Sequence, residues 1–557
     1  MNTQREVKEK IVALLSEALA KAQSQGKLPG VPLPEVTLER PQRPEHGDYA
    51  SSIALKLARA AGVNPMTIAL ELVSLMPKSP EVKSVEVAAP GFINFTLKDD
   101  WLTGQVGAIL EAGESFGGSN LGKGSRIQIE FVSVNPTGPL HVGHGRGAVL
   151  GSTLANVLEA SGYRVEKEYY LNDAGSQVDA FYRSLYVRYL ECFGKKAEMP
   201  ANGYMGSYMV DLAKELASEF GDKFLKVPEA EAVSALGEIG LRRMIEAIKR
   251  DLVRLGVTFD VWFSEKSLYA GGDYNEVMAQ LKKAGFIAEK ERATWFVSTA
   301  LGEDKDNVVV RSDGSPTYLA GDIAYHYNKF LKRKFDQVID IWGADHQGHV
   351  PRMKAVAAAL GVSAERFKVI ISQLVTLRRG KEIVRLSKRS GDIITLSEVM
   401  DEVGVDACRY FFLCRSADAQ MDFDLELAKK ESAENPVYYV QYAHARIASI
   451  LKLAQEKNID FRDGDVSLLT SEPELGLIRR LVMLPEMIEL AARTLGVHCL
   501  PYYALELATA FHCFYRDCRV VSDDVALTKA RLKLVSAAKL VLARTLGLMG
   551  MTAPDSM

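Results

Sequence analysis

The stretch NPTGPLHVGHGRG, Asn135 to Gly147, decides how the rest of the chain reads. Just before it, IQIEFVSV has the apolar character of a strand. From its end, HGRGAVLGSTLANVLEASG places Leu150, Leu154, Val157 and Leu158 on one side of a helix stopped at Gly162. RVEKEYYL then reads as a second strand, and strand, helix and strand make a βαβ unit with a right-handed crossover. The quoted turn therefore sits beyond the carboxyl end of a parallel strand, where open α/β sheets bind their ligands. The first amides of the helix and the positive end of its dipole face that space. His141 and His144, three apart, point the same way, and Gly143 lets the backbone come close. Such a turn suits negative oxygens, as on a nucleotide's phosphates. It is neither a GxGxxG fingerprint nor a P-loop. The plain alternative is a glycine-rich turn with two surface histidines.

Outward from this unit, the 557 residues divide by texture. Residues 1–112 mix helices with a hairpin, SVEVAAPGFINFTL, around Pro90-Gly91; Val7, Ile11, Leu14, Leu15 and Ala18 form the apolar stripe of a first helix rather than a secretion signal. Glu111 to Ser125 is rich in Gly and Ser and reads as a linker. Residues 113–434 carry the alternating pattern, interrupted by a helical insertion near 180–260. The pattern resumes with TYLAGDIAYHYNKFLKR (helix), DQVIDIWG (strand), QGHVPRMKAVAAALG (helix) and FKVIISQLV (strand). Residues 435–557 have helical periodicity throughout. The expected fold class is α/β: a doubly wound, Rossmann-like parallel sheet between an α/β N-terminal domain and an all-α C-terminal bundle.

Bulk properties narrow the function. A net charge of −3 argues against nucleic-acid binding through a global field but leaves room for a local basic groove. No apolar run is long enough to span a membrane. The six cysteines include no CxxC pair and read as reduced thiols of a cytoplasmic protein. Cys513 and Cys518 lie near His498, Cys499 and His512, but their spacing matches no zinc pattern, so no metal site is expected.

Three further segments bear on chemistry. GKEIVRLSKRSGD, Gly380 to Asp392, is a strongly basic loop after a strand, or in the plain reading a solvated hairpin. WGADHQGH places Gly343, Asp345 and His349 beyond another strand; the aspartate could bond ribose hydroxyls or cap the helix expected near Gln347. Glu130 stands mid-strand, where an ionised carboxylate covered on both faces needs a partner, unless the strand is an edge facing water. Tyr318 and Asp322 share one helix face, although a surface carboxylate is the plain reading of Asp322.

HVGH after NPTGP resembles the HIGH signature of class I aminoacyl-tRNA synthetases. The longer block EFVSVNPTGPLHVGHGRGAV…EYYLNDAGSQ is similar to the arginyl-tRNA synthetase family in particular. EHGDYASSIALKLA and APGFINF resemble that family's N-terminal domain, and NPVYYVQYAHARI the start of its anticodon-binding domain. The basic loop resembles the KMSKS signature in the register Arg385-Leu386-Ser387-Lys388-Arg389, near 385–391. Only the central Ser-Lys is kept, and Lys388 is expected to be the dominant cation.

The resemblance implies activation of L-arginine with ATP, accompanied by Mg²⁺, to an adenylate and pyrophosphate. Transfer to the terminal adenosine of tRNA follows. It implies catalytic roles for His141, His144 and Lys388, and ATP contacts from Gly143, Gly343, Asp345, His349, Ser387 and Lys388. It assigns Glu130, Ser133, Asn135, Tyr318 and Asp322 to the arginine pocket, with Glu130 and Asp322 on the substrate's side chain. The planar guanidinium matches carboxylates bidentately, which lysine cannot do, so no editing domain is expected. Tyr438, Tyr442, Arg446 and Arg516 are candidate tRNA contacts, although aromatics at helical spacing more often form core. A monomer is expected, with adenylate formation dependent on bound tRNA. A cysteinyl enzyme would need a zinc site, a silent tRNA-binding descendant would have lost His141, His144 or Lys388, and an HxGH nucleotidyltransferase would not need the long C-terminal bundle.

Overall fold

A computed structural model of the chain describes residues 4–41, 43–384 and 394–557. In the N-terminal region, helix Gln4–Ser24 buries Val7, Ile11, Leu15 and Ala18. It packs with helix Pro65–Leu75 beside a small antiparallel sheet of strands β1 (Tyr49–Ser51), β2 (Val82–Ala88) and β3 (Phe92–Leu97). Asn64 caps the Pro65 helix by accepting from the Met66 amide, so proline's missing N–H costs nothing at that position.

The stretch Glu111–Ser125 is not a free linker. Its amides at Ser119, Gly122 and Gly124 donate to the carbonyls of Ala160, Ser161 and Gly162, and this strapping fastens the C-terminal end of helix Val142–Ala160.

The central sheet is fully parallel. It comprises β4 (Arg126–Phe131), β5 (Arg164–Leu171), β6 (Val261–Ser264), β10 (Gln337–Gly343) and β11 (Phe367–Ser372) in the order β11-β10-β4-β5-β6. The chain starts in the middle at β4, winds outward through β5 and β6, then returns to β4's other side through β10 and β11. The topological switch point lies between β4 and β10, and both the His141 turn and the Gly343–His349 segment leave the sheet there. The helical insertion is the crossover from β5 to β6: Ser176–Cys192, Ser207–Phe220 and Glu229–Arg254. A three-stranded antiparallel sheet of β7 (Ile287–Lys290), β8 (Ala293–Phe296) and β9 (Asn307–Val310) precedes helix Tyr318–Tyr327. Beyond β11, β12 (Val375–Arg379), β13 (Glu382–Ile383) and β14 (Met421–Asp424) form another small sheet, in the order β13-β12-β14.

Helix Val142–Ala160 is the axle of this arrangement. At Gly151 an added Cβ would lie 2.3 Å from the Phe131 ring, so only glycine lets the helix sit this close on β4. Fully buried Arg146 donates to the carbonyls of Gln373, Ser416 and Ala419, tying the helix to the segments that flank β12 and β14. Fully buried Arg409 joins Ser152 of the helix to the carbonyls of Leu255 and Met549. Met549 ends the helical C-terminal region, whose long helices are Pro436–Glu456, Glu472–Leu481, Leu484–Thr494, Cys499–Asp517 and Val525–Leu548. That region also grips the N-terminal one. Arg479 pairs with Asp48 at 3.0 Å, and Glu486 pairs with Arg40 at 2.9 Å while accepting from Tyr49. Among the described residues, no helix is long and apolar enough to cross a membrane.

Gly151→Ala should destabilise the fold by about 1–3 kcal/mol through overpacking against Phe131. The fall in the chemical denaturation midpoint measures this; an unchanged midpoint would mean helix and strand separate without cost.

Candidate active site

His141 is the N-cap of helix Val142–Ala160, and the cap is built from imidazoles instead of the usual hydroxyl and carboxylate. The Gly143 amide donates to His141 Nδ1 (3.1 Å), and the His141 amide lies 3.3 Å from His144 Nδ1. The rings stack with centroids 3.4 Å apart. Each Nδ1 therefore accepts, which leaves the proton on Nε2 in both neutral rings. Burial holds both rings below the ordinary histidine range, His144 down to about 3; for His141 the field of Asp345 works in the opposite direction. The turn thus offers two fixed, neutral Nε2–H donors at the positive end of the helix.

The glycines of this turn serve packing as much as ligand access. A Cβ on Gly145 would meet Leu396 Cδ1 at 2.6 Å. Leu396 belongs to the helix that follows the basic loop, and its amide donates to the Leu140 carbonyl at 2.8 Å. The chain at Thr395 and Leu396 is thereby fixed against the histidine turn. Ser387 and Lys388 lie outside the described residues.

Just beyond β4, Val132 and Ser133 adopt φ of +68° and +42°. Left-handed backbone at a β-branched residue is strained and persists only where its surroundings enforce it. Here β5 does so: the Tyr170 amide donates to Ser133 Oγ (3.0 Å) and the Tyr169 hydroxyl to the Val134 carbonyl (2.9 Å).

Under the site, three carboxylates stand in one row across the sheet, Asp340 on β10, Glu130 on β4 and Glu168 on β5, directly opposite one another in register. Like charges so placed repel. One helical segment neutralises them. Lys329 Nζ lies 2.6 Å from Glu130 and 2.9 Å from Asp340. His326 Nε2 lies 3.0 Å from Asp340, and Arg333 forks onto Glu168 at 2.5 and 3.0 Å. The Tyr325 hydroxyl also donates to Glu168. Burial alone would push Asp340 up, but Lys329 and His326 hold it below the usual carboxylate range.

Two other carboxylates form no ion pair with a lysine or arginine among the described residues, although His326, His349 and His346 lie near Asp322. Glu265, just past β6, is 8% exposed; burial, with Asp322 and Asp173 nearby, pushes its carboxyl up to about 7. Asp322 is likewise raised by burial. Gly321 sits between them, where a Cβ would lie 3.2 Å from Glu265 Oε1 and 3.8 Å from the Tyr170 hydroxyl. Tyr318, one turn before Asp322, is 56% exposed at the edge. Two carboxyls pushed up by burial near Tyr170 and Tyr269, in a domain that also carries the imidazole turn, suit a cationic substrate that is to react with a nucleotide.

The model of the class I (R) tRNA synthetase catalytic domain matches residues 105–422. The chain belongs to the arginyl-tRNA synthetase family. The family's N-terminal domain model matches residues 9–97, and the DALR anticodon-binding domain model matches residues 440–557. The chain is 58% identical to an arginine–tRNA ligase of Dehalococcoides mccartyi over 557 residues, covering 100% of both. It is 49% identical to that of Carboxydothermus hydrogenoformans, covering 93% of this chain and 94% of the relative. The fold is similar to that of Thermus thermophilus arginyl-tRNA synthetase, with a TM-score of 0.78 at 21% identity over 99% of this chain and 100% of that one.

Within this family's frame, the residues singled out from sequence fall into distinct places. His141, Gly143, His144 and Asp345 come together at the switch point. Gly343 ends β10, and His349 Nδ1 lies 3.4 Å from Arg352. Asp345 caps no α-helix start near Gln347: a 3₁₀ turn runs Ala344–His349, and the α-helix begins at Val350. Asn135 faces helix Ser176–Cys192, donating to Gln177 Oε1 at 2.6 Å. Glu130 lies on the central strand and not on an edge facing water, with buried Lys329 Nζ 2.6 Å from its carboxylate. Glu265 was missed; its only signal is a lone acid at a strand's carboxyl end.

In the bundle, Tyr438 and Tyr442 stack 6.1 Å apart, Tyr442 stacks on His512 at 5.9 Å, and Arg446 covers the Tyr515 ring at 4.8 Å. Arg516 is bonded to neighbouring Asp517.

His144 titrates near its ordinary 6.5 when unfolded and about 3 when native, so the native state binds fewer protons in between. Its contribution to stability is complete above pH 6.5 and is lost as pH falls toward 3, by at most ~1.4 kcal/mol per unit. Imidazole NMR should find the His144 ring neutral, with its proton on Nε2, from pH 8 down to 5; a midpoint near 6.5 would contradict the capping geometry.

Proposed function

We propose that this chain activates L-arginine with ATP, forming arginyl-adenylate and pyrophosphate, and transfers arginine to the 3′-terminal adenosine of its tRNA. The observation that carries the reading is the pair Asp322 and Glu265, both pushed up by burial, neither of which forms an ion pair with a lysine or arginine among the described residues. A guanidinium supplies planar, bidentate donors for two carboxylates, whereas an ammonium or a neutral isostere leaves one desolvated and unpaired. Tyr318 flanks the substrate's side chain, and Asn135 with Ser133 holds its α-amino end. That orientation directs the substrate's carboxylate toward the switch point.

There the carboxylate oxygen attacks the α-phosphorus of ATP and the bond to pyrophosphate breaks. Negative charge grows on the bridging and leaving oxygens. The Nε2–H groups of His141 and His144, the positive end of the helix dipole at Gly143 and the ammonium of Lys388 meet that charge, with Ser387 on the same loop. Preset neutral donors need no reorganisation when the charge arrives. Asp345 takes the ribose hydroxyls, with Gly343 and His349 lining the nucleoside side. Mg²⁺ accompanies the phosphates of ATP without a dedicated protein site.

The division is into an N-terminal domain at 1–112 that meets the tRNA elbow, a catalytic domain at 113–434 and an anticodon-binding domain at 435–557. The stacked Tyr438, Tyr442 and His512 rings, with Arg446, give unpaired bases a platform. Arg516 adds charge near it. The protein acts as a cytoplasmic monomer, and bound tRNA is required for arginine activation.

Pyrophosphate exchange into ATP, run with each of the twenty amino acids with and without tRNA, tests this. Arginine-selective, tRNA-dependent exchange is expected, with His144→Ala and Lys388→Ala each reducing it by about 10²-fold or more. Exchange driven by another amino acid, or undiminished in both variants, would refute it.

A further inference from the structure

The acid row and its cations have a second consequence, because the segment that neutralises the row also carries the substrate pocket. Tyr318 and Asp322 occupy the first turns of helix Tyr318–Tyr327; Tyr325, His326, Lys329 and Arg333 follow along the same segment. The helix widens into a π-turn at Asn328–Lys332, closed by the Arg333 amide on the Asn328 carbonyl at 2.9 Å. Single π-turns inside helices recur at functional sites. This one contains Lys329, which has no solvent exposure and bridges β4 to β10, the two strands that border the switch point. His326 links the pocket directly to the row. Its Nδ1 lies 2.8 Å from the Asp322 carbonyl and its Nε2 lies 3.0 Å from Asp340. Both ring nitrogens face oxygens, so the ring spans the gap between the helix backbone and β10. A chain of contacts therefore runs from the sheet through Asp340 and His326 to the backbone of Asp322 itself.

We propose that Lys329 and His326 are positioning residues for arginine recognition, fixing Tyr318 and Asp322 over the sheet so that the guanidinium meets them in bidentate register. The inference rests on the assignment of Asp322 to the arginine pocket. Neither side chain touches substrate; each acts through the helix it anchors. Because the anchored helix carries the arginine side of the site and not the histidine turn, loss of either residue weakens arginine selectively.

The test is the KM for arginine and for ATP in tRNA-supported pyrophosphate exchange, for Lys329→Met, His326→Gln and, as a reference, Asp322→Asn. Lys329→Met and His326→Gln should each raise the arginine KM about tenfold with the ATP KM held within about twofold, and Lys329→Arg should recover part of the loss. An arginine KM that rises in Asp322→Asn but is unchanged in Lys329→Met and His326→Gln overturns the inference, as does a parallel rise in both KM values. An unchanged arginine KM in Asp322→Asn overturns instead the pocket assignment on which it rests. If Lys329→Met does not fold, His326→Gln decides alone, since it leaves Lys329 between Glu130 and Asp340.

Discussion

Three acids side by side on a buried parallel sheet would drive the strands apart unless something cancelled them, and the catalytic sheet depends on that cancellation. Asp340, Glu130 and Glu168 lie on β10, β4 and β5, and one helical segment sets His326, Lys329 and Arg333 against them. The cost of burying ions is several kcal/mol each, offset only when every charge is paired and bonded. Replacing such a cluster with hydrocarbon is often no less stable, so what the cluster supplies is geometry rather than stability. It pins the helix bearing Tyr318 and Asp322 over the strands that open at the switch point. With the row satisfied internally, Asp322 and Glu265 stand apart from it, pushed up by burial and in no ion pair with a lysine or arginine among the described residues.

The opposite wall of the site is made from neutral groups. An imidazole capping box fixes two tautomers at once, so the local folding of helix Val142–Ala160 and the aiming of two Nε2–H donors are one event. The same helix is tied through Arg146 to the segments flanking β12 and β14, and through Arg409 to the end of the C-terminal bundle. Movement at the bundle's last residues thus has a short, hydrogen-bonded route to the histidine turn.

Local features were the most legible in the sequence. The strand-helix-strand unit around NPTGPLHVGHGRG and the β10 segment matched the structure, because each is an apolar run bounded by glycines. The short strands β7 to β9 gave no signal, since four-residue strands lack a measurable period. The Gly- and Ser-rich stretch Glu111–Ser125 suggested a free linker, yet its glycines bring amides onto the Ala160–Gly162 carbonyls. Glu130 was rightly identified as a buried acid needing a cation, but Lys329 lies 199 residues away and reads as one more basic residue in a helix. Glu265 reveals itself only when the fold sets it opposite Asp322. The basic loop rests on sequence alone.

The most direct measurement is a crystal structure of the protein with L-arginine bound. The guanidinium should lie between Asp322 and Glu265, with Lys329 still joined to Glu130 and Asp340. A guanidinium on Glu130 with Lys329 displaced would contradict the account.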